Sequence, residues 1–142
     1  ADVLPMSALS KFLDKYRKTE TVALKVGIIG SKIYPDGTPV AAVGYANEYG
    51  TPTIPARPFF RSTVENNASV LPEMIATLLK KHDPETVLHL VGEHMTDELK
   101  QAVMTWSDPP NAESTIAQKG YNAPLRANDR ILRNSFSYEI EQ

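Results

Sequence analysis

Three histidines, two of them beside an acidic residue, are the side chains of this sequence best suited to metal or acid–base chemistry. His89, Glu93 and His94 come close to the zinc-binding order His-x-x-Glu-His, but the spacing is one residue too long. On a helix, five residues turn the chain by about 140°, so the two histidines face different directions and cannot share one ion. His82 ends a predicted helix, where the helix dipole favours a positive charge. The histidines therefore predict no metal site.

Motifs for phosphate binding or nucleophilic attack are incomplete as well. The stretch 27–32 contains two glycines and a lysine, but it lacks the first glycine of a phosphate-binding loop and overlaps a predicted strand. The chain has no cysteine, which excludes disulfides, thiolate metal ligands and thiol nucleophiles. No serine lies in a Gly-x-Ser-x-Gly elbow. A pair of catalytic carboxylates cannot be recognised from spacing alone, so a hydrolase with such a pair stays a distant alternative. We expect no enzymatic activity and no cofactor.

Composition favours one folded domain over residues 1–142, because 42% of the residues are hydrophobic and 23% are charged. The net charge of −2 gives no overall nucleic-acid-binding signature, and no apolar run approaches the roughly 18 residues of a membrane span. Basic residues exceed acidic ones in 1–32, whereas acidic residues exceed basic ones in 33–118. Such opposed charge suits head-to-tail contact between copies, although ordinary surface charge explains it equally simply.

The most conspicuous feature is an excess of proline, eleven residues in all. Three prolines within residues 50–58 lack a backbone donor, so we predict an extended, polyproline-like arm that leads into a helix near Pro58. The arm continues into two phenylalanines between Arg57 and Arg61, and aromatic and guanidinium groups dominate interface energies. Either these phenylalanines enter the core and the arm is an ordinary loop, or one points inward and the other contacts a partner. A second extended segment is expected over residues 107–130.

Hydrophobic periodicity predicts the elements of the first half of the chain. Residues 6–18 have the i, i+3, i+4, i+7 spacing of an amphipathic helix, whose polar face carries Lys11, Lys15 and Lys18. Residues 21–29 alternate as a strand does, and the turn residues 34–38 lead into the apolar stretch 40–43. These features predict a β-hairpin. Residues 46–49 are expected to form a short helical turn that ends at a glycine.

The second half predicts helices followed by a strand. Residues 59–81 have a broad apolar stripe, and Pro72 indicates either a new helix capped by Ser69 or a kink. Asp83 and the following proline predict the start of another helix, which extends to Trp106. Alternation near the end of the chain predicts a final strand. The fold class is therefore α+β, with a small antiparallel sheet (N-terminal hairpin plus C-terminal strand), two to four helices and the extended proline-rich arm.

Two blocks of residues carry a family resemblance: Ala46-x-Glu48-Tyr49-Gly50-Thr51 and Ile54-Pro55-Ala56-Arg57-Pro58-Phe59-Phe60-Arg61. They resemble the small neck proteins of tailed bacteriophages, which include head–tail joining proteins, tail-completion proteins and the virion morphogenesis family of Mu-like phages. The second half resembles the same family in Pro109-Pro110, Thr115-Ile116, Lys119-Gly120 and Pro124-Leu125. The resemblance spans residues 20–140 and departs from the family where many members have a threonine-glycine turn and this chain has Asn128-Asp129.

This resemblance implies a structural protein of the virion with no enzymatic role. It would form a ring of six-fold or twelve-fold symmetry on the portal–tail axis and join the DNA-filled head to the tail. Its partners would be copies of itself, portal or adaptor proteins on the head side, and tail terminator or tail-tube proteins on the tail side. Genomic DNA would pass through without sequence-specific binding, and no membrane would be involved. The expected location is the virion neck or tail, and the host cytoplasm during assembly. A tail terminator or minor tail-tube protein is the alternative.

The contact residues that we expect come from the arm, the helix start that follows it and the second extended segment. They are Glu48, Tyr49, Gly50, Thr51, Pro52, Ile54, Pro55, Arg57, Pro58, Phe59, Phe60, Arg61, Pro109, Pro110, Thr115, Ile116, Lys119, Pro124 and Leu125. In a ring, the basic face of the first predicted helix is a candidate channel surface.

Overall fold

The computed structural model of the chain describes residues 22–127 and 129–141. In order, the elements are β1 (Ala23–Ile28), α1 (Val40–Tyr49), α2 (Phe59–Asn67), α3 (Val70–Leu79), α4 (Pro84–Thr105), α5 (Glu113–Lys119), α6 (Ile131–Asn134) and β2 (Phe136–Glu141). The predicted helix over 6–18, with its three lysines, lies outside the described residues. The α+β class is confirmed, with six helices in the described ranges where two to four were expected.

The sheet has two antiparallel strands, β1 and β2, which come from opposite ends of the described chain. Ala23 lies opposite Glu141, and Ile28 lies opposite Phe136. The predicted N-terminal hairpin is wrong, because residues 40–43 belong to α1. These residues do not alternate in polarity, and the buried positions of α1 recur every four residues, as on one helix face.

The turn expected between β1 and the next element is nevertheless present. The Tyr34 N–H donates to the Thr38 carbonyl at 2.8 Å, and the Gly37 N–H donates to the Tyr34 carbonyl at 2.9 Å. An isolated bridge joins Ile33 to Pro39. The position of the turn was therefore predicted correctly, but the element that follows it is a helix and not a second strand. The short helical turn predicted at 46–49 is the last turn of this helix.

The continuous stripe over 59–81 is divided between two helices, α2 and α3. The alternative of a new helix after Ser69 with Pro72 in its first turn is confirmed, although the Ser69 side chain accepts no capping hydrogen bond. The start of α4 is also as predicted. Asp83 Oδ1 accepts the Thr86 N–H at 2.8 Å, and Pro84 occupies the first turn, where its missing N–H costs nothing.

The long helix α4 contributes to both parts of the hydrophobic core. One part joins its first half to β1 and α3, through Val87, Val91, Met95, Leu24, Leu71 and Leu78. The other joins its second half to α1, α2, α6 and β2, through Leu99, Val103, Val40, Phe59, Leu132 and Phe136. The helix is therefore the element against which the sheet and the shorter helices pack.

The closest approach of α4 to the sheet is at Gly92. A Cβ atom there would lie 2.5 Å from two ring carbons of Tyr138, so only glycine lets this ring lie against the helix backbone. The Tyr138 hydroxyl then reaches His89 Nδ1 at 3.0 Å. Glycine at this position is thus required by packing between α4 and β2.

The segment 107–130, expected to be extended, contains the short helix α5. The peptide bond between Asp108 and Pro109 is cis. In the turn before α6, the residue with a left-handed backbone is Arg130, with φ of 55°. Within the described ranges, no helix combines the length and the hydropathy that crossing a membrane requires.

Candidate functional site

Residues 50–58 form a closed loop in place of the predicted extended arm. The Thr51 N–H donates to the Ile54 carbonyl at 2.8 Å, and the Ile54 N–H donates back to Thr51 at 3.3 Å. Gly50 has a φ of 79°, and a Cβ atom on it would lie 2.8 Å from the Ala56 nitrogen. Each proline lacks a backbone N–H only at its own position, so the N–H groups of neighbouring residues can still form the hydrogen bonds that close the turn.

The carboxylate of Glu48 holds the start of α2. This residue is 5% exposed. Oε2 accepts the Phe60 N–H at 2.8 Å, and Oε1 accepts the Arg61 N–H at 3.1 Å and the Arg61 Nε–H at 2.8 Å. Pro58 precedes α2 and has no side-chain cap to offer, so a glutamate from the end of α1 caps this helix. The hydrogen bond to Glu48 raises the pKa of the Arg61 guanidinium.

Arg57 ties the loop to the second proline-containing segment. It is 7% exposed. Its Nε donates to the Pro109 carbonyl at 2.8 Å, and Nη2 donates to the Pro110 carbonyl at 3.0 Å. Burial lowers the pKa of this guanidinium. The two segments that the sequence singles out separately are therefore joined through one side chain.

The segment 107–127 has a further set of cations around one aromatic ring. Lys119 Nζ lies 4.9 Å and Arg126 Cζ lies 4.7 Å from the centroid of Tyr121. Lys119 also donates to the Ala123 carbonyl at 2.8 Å. Burial, followed by the nearby charges of Arg57 and Arg126, lowers the pKa of Lys119. Each of these contacts holds the segment against itself.

The two phenylalanines take different positions. Phe59 is buried, and its ring packs edge-to-face on Phe136 with a centroid distance of 5.9 Å. Phe60 is half-buried beside Gly27. Phe59 therefore belongs to the core, whereas Phe60 packs against the edge of the same core and also lines a groove.

This groove has a volume of about 640 Å³ and lies between β1, α1 and the start of α2. All six residues from Leu24 to Ile29 line it. Because consecutive side chains of a strand alternate between faces, a cavity that touches six in a row lies along the edge of the strand. β1 pairs only with β2 among the described residues, so its other edge faces the groove.

Aromatic and cationic side chains form the rim of the groove. Tyr45 is 68% exposed, and its ring centroid lies 4.6 Å from that of Tyr49. The Arg61 guanidinium lies 4.9 Å above the Tyr49 ring. Tyr45 is absent from the contact residues predicted from the sequence. It would have been included if residues 40–49 had been interpreted as one helix, because it then lies one turn before Tyr49.

The predicted contact residues fall into three groups by exposure. Tyr49, Thr51, Pro52, Ile54, Pro55, Arg61 and Pro110 are exposed. Gly50, Pro58, Phe60, Pro109, Thr115, Ile116, Lys119 and Pro124 are half-buried. Glu48, Arg57, Phe59 and Leu125 are buried, so their side chains act within the fold.

Two of the three histidines, His89 and His94, have separate side-chain partners. His89 contacts Tyr138, and His94 Nε2 lies 2.9 Å from Asn67 Oδ1, between α4 and α2. In the part of the chain that the structure describes, no group of three histidine, aspartate or glutamate side chains could hold a metal ion.

Comparison of the chain with protein-family models, with curated protein sequences and with solved structures finds no match.

Proposed function

We propose that the protein is a structural component of a tailed-phage neck, a head–tail connector or tail-completion protein that forms a ring on the portal–tail axis. The residue blocks around Glu48 and Arg57 support the family, since they resemble the neck proteins. The observation that carries the function is the groove along β1, an apolar surface with a rim of tyrosine and arginine. Such residue types dominate the energetics of protein–protein contacts.

The chemistry of the groove favours contact over catalysis. Among its described lining residues there is one carboxylate, Glu48, and both of its oxygens already accept hydrogen bonds. A hydrolase would need a second acidic group near the first, with room for substrate between them. An exposed strand edge beside apolar side chains instead suits a segment of another protein chain.

The buried residues of the resembling blocks support this function indirectly. Glu48 fixes α2 against α1, and Arg57 fixes the loop 50–58 against the segment 107–127. Both contacts order the surface before a partner arrives, and an ordered surface loses less conformational entropy on binding. In the proposed neck, these side chains would act as internal braces, and the exposed tyrosines would make the contacts.

Assembly of the purified full chain tests the proposal. We expect closed rings in mass photometry and negative-stain electron microscopy, and attachment of these rings to purified tails. Replacing Tyr45 and Tyr49 together by alanine should leave the circular dichroism spectrum unchanged and reduce the ring population at least tenfold. The matched control is Leu79→Ala, which also removes an exposed apolar side chain but lies on α3, outside the groove. Phe59 and Arg57 are unsuitable probes because both are buried.

A chain that stays monomeric at all concentrations, with and without tails, would refute the proposal. Rings that bind only the end of the tail tube, and never the portal, would assign the protein to the tail terminator or minor tail-tube role instead. Cryo-electron microscopy of the particle distinguishes these positions directly.

A further inference from the structure

We propose that the apolar surface of α3 is covered by the N-terminal segment of the same chain, residues 6–18, which packs on it as an amphipathic helix. The inference goes beyond the proposed ring and does not rest on it, because no residue of α3 lines the groove along β1. The contact fixes the residues before β1 against the fold.

The helix α3 is apolar around most of its circumference. Of its ten residues, only Glu73 and Thr77 are polar. A helix that is apolar on all sides is ordinarily buried, yet α3 has no buried residue. Val70 is 48% exposed, and Pro72 and Ala76 are exposed as well. The contacts that α3 makes with the other described elements therefore cover only part of an apolar helix.

One side of α3 already has a neighbour. Four of its side chains pack in the core part that α4 and β1 share, and these are Leu71, Met74, Ile75 and Leu78. Their i, i+3, i+4, i+7 spacing is that of a single helix face. Pro72 and Ala76 lie one turn apart and outside this face, so they belong to the exposed apolar surface that remains.

The described chain begins near α3. Leu24, the second residue of β1, packs in the same core part as the four side chains of α3. Residue 22 is the first that the structure describes. The four steps from residue 18 to residue 22 span at most about 14 Å, and the axes of packed helices lie about 8–10 Å apart. A helix that ends at residue 18 can therefore reach α3.

The segment 6–18 has the pattern that such a contact requires. One face of the predicted helix is apolar, with Leu9, Phe12, Leu13 and Tyr16, and the opposite face carries the three lysines. A helix over 6–18 is about 20 Å long, and the ten residues of α3 span about 15 Å. So short a helix is marginal in water by itself and is stabilised by packing its apolar face. Outside the described ranges lie residues 1–21, 128 and 142, so no other stretch of this sequence can supply the contact.

Because the sequence has no cysteine, pairs of introduced cysteines in the full chain can report this contact. One member of each pair is Ala76→Cys, and the other is Leu9→Cys or Leu13→Cys, on the apolar face of the segment. The matched controls combine Ala76→Cys with Lys11→Cys or Lys15→Cys, on the opposite face of the same predicted helix. Under mild oxidation at low protein concentration, we expect at least one apolar-face pair to form an internal disulfide at least tenfold faster than either control pair.

Two results would overturn the inference. In the first, the control pairs close as fast as the apolar-face pairs. In the second, a mixture of the single variants Leu13→Cys and Ala76→Cys gives disulfide-linked dimers while the double variant forms no internal disulfide; a neighbouring copy then supplies the segment. Neither result bears on the proposed ring, which is tested by the tyrosine variants of the groove.

Hydrogen exchange gives an independent measurement. Phe12→Asp places a charge on the apolar face of the segment, and the matched control Lys15→Asp places the same side chain on its polar face. We expect the amides of α3 to exchange at least tenfold faster in Phe12→Asp than in the unsubstituted chain, and to be unchanged in Lys15→Asp. Equal protection of α3 in the two variants would contradict the contact.

Discussion

Replacing Glu48 by glutamine tests whether the buried carboxylate stabilises the start of α2 by capping its N–H groups. The substitution keeps the size of the side chain but removes the charge, and it places an amide NH₂ against N–H donors. In the unsubstituted chain, two backbone N–H groups of α2 donate to the Glu48 carboxylate, at 2.8 and 3.1 Å. A hydrogen bond to a charged group contributes about 1.5–3 kcal/mol, and a negative charge at a helix N-terminus adds about 0.3–1 kcal/mol.

The expected loss in the free energy of unfolding is about 3 kcal/mol, because one amide oxygen can still accept one of the two bonds. For a chain near this length, each kcal/mol lowers Tm by about 2–4 °C, so Glu48→Gln should lower Tm by roughly 6–12 °C. Urea unfolding can be followed by the fluorescence of Trp106, the single tryptophan of the sequence. Hydrogen exchange should accelerate most at the amides of Phe60 and Arg61.

The matched control is Glu93→Gln, because Glu93 is exposed in the middle of α4. A surface substitution of this kind changes stability by less than about 0.5 kcal/mol. If Glu48→Gln loses no more stability than this control, or if exchange at the start of α2 is unchanged, the capping role assigned to Glu48 is refuted.

Three further predictions concern the packing at Gly92, the contact of Arg57 with two proline carbonyls, and the exposed turn at Asp36. Gly92→Ala should lower the free energy of unfolding by about 1–3 kcal/mol, because the added methyl group overlaps with the Tyr138 ring. In a Tyr138→Ala background the same substitution should be neutral or stabilising, since alanine favours a helix more than glycine does. Calorimetry of the wild type, the two single variants and the double variant measures this change of sign. Arg57→Met leaves two proline carbonyls without a donor, so exchange across 107–127 should accelerate and stability should fall by about 2–3 kcal/mol. The pKa of Asp36 is lowered by hydrogen bonds from Thr38, so its contribution to the turn is present above the ordinary carboxyl pKa of about 4 and is lost as the pH falls through the folded pKa. Amide chemical shifts of the turn, measured between pH 2 and about 6, should follow that loss and stay constant in Asp36→Asn.

Elements that depend on neighbouring residues were predictable from the sequence. The strand β1, the helix α4 with its Asp83 cap and the final strand β2 follow from periodicity and capping within a few residues. The strand that pairs with β1 could not be predicted in the same way. The apolar stretch 40–43 is the nearest candidate along the chain, whereas β2 comes more than a hundred residues later, and only the packing of both strands on α4 brings them together.

Residue types in the proline-rich segment were recognised from the sequence, but the contacts that Glu48 and Arg57 make within the fold were not. Glutamate and arginine next to exposed aromatics suggested contact with a partner, yet Glu48 and Arg57 are buried and bind backbone groups of α2 and of Pro109 and Pro110. Burial is a property of the assembled fold, and spacing along the chain does not report it. Tyr45 was missed for the same reason, since its position on the rim depends on residues 40–49 being a helix.

The sequence by itself determined which reactive residue types this chain contains and where its prolines, aromatic and guanidinium groups are concentrated. It has no thiol, no complete phosphate or metal motif, and a concentration of proline, aromatic and guanidinium groups in two segments. Only the tertiary structure decided that Arg57 joins those segments, that the arm is a closed loop and that the edge of β1 faces an apolar groove. The physical reason is that composition and periodicity act over a few residues, whereas strand pairing, burial and open edges arise from contacts between residues far apart in the chain.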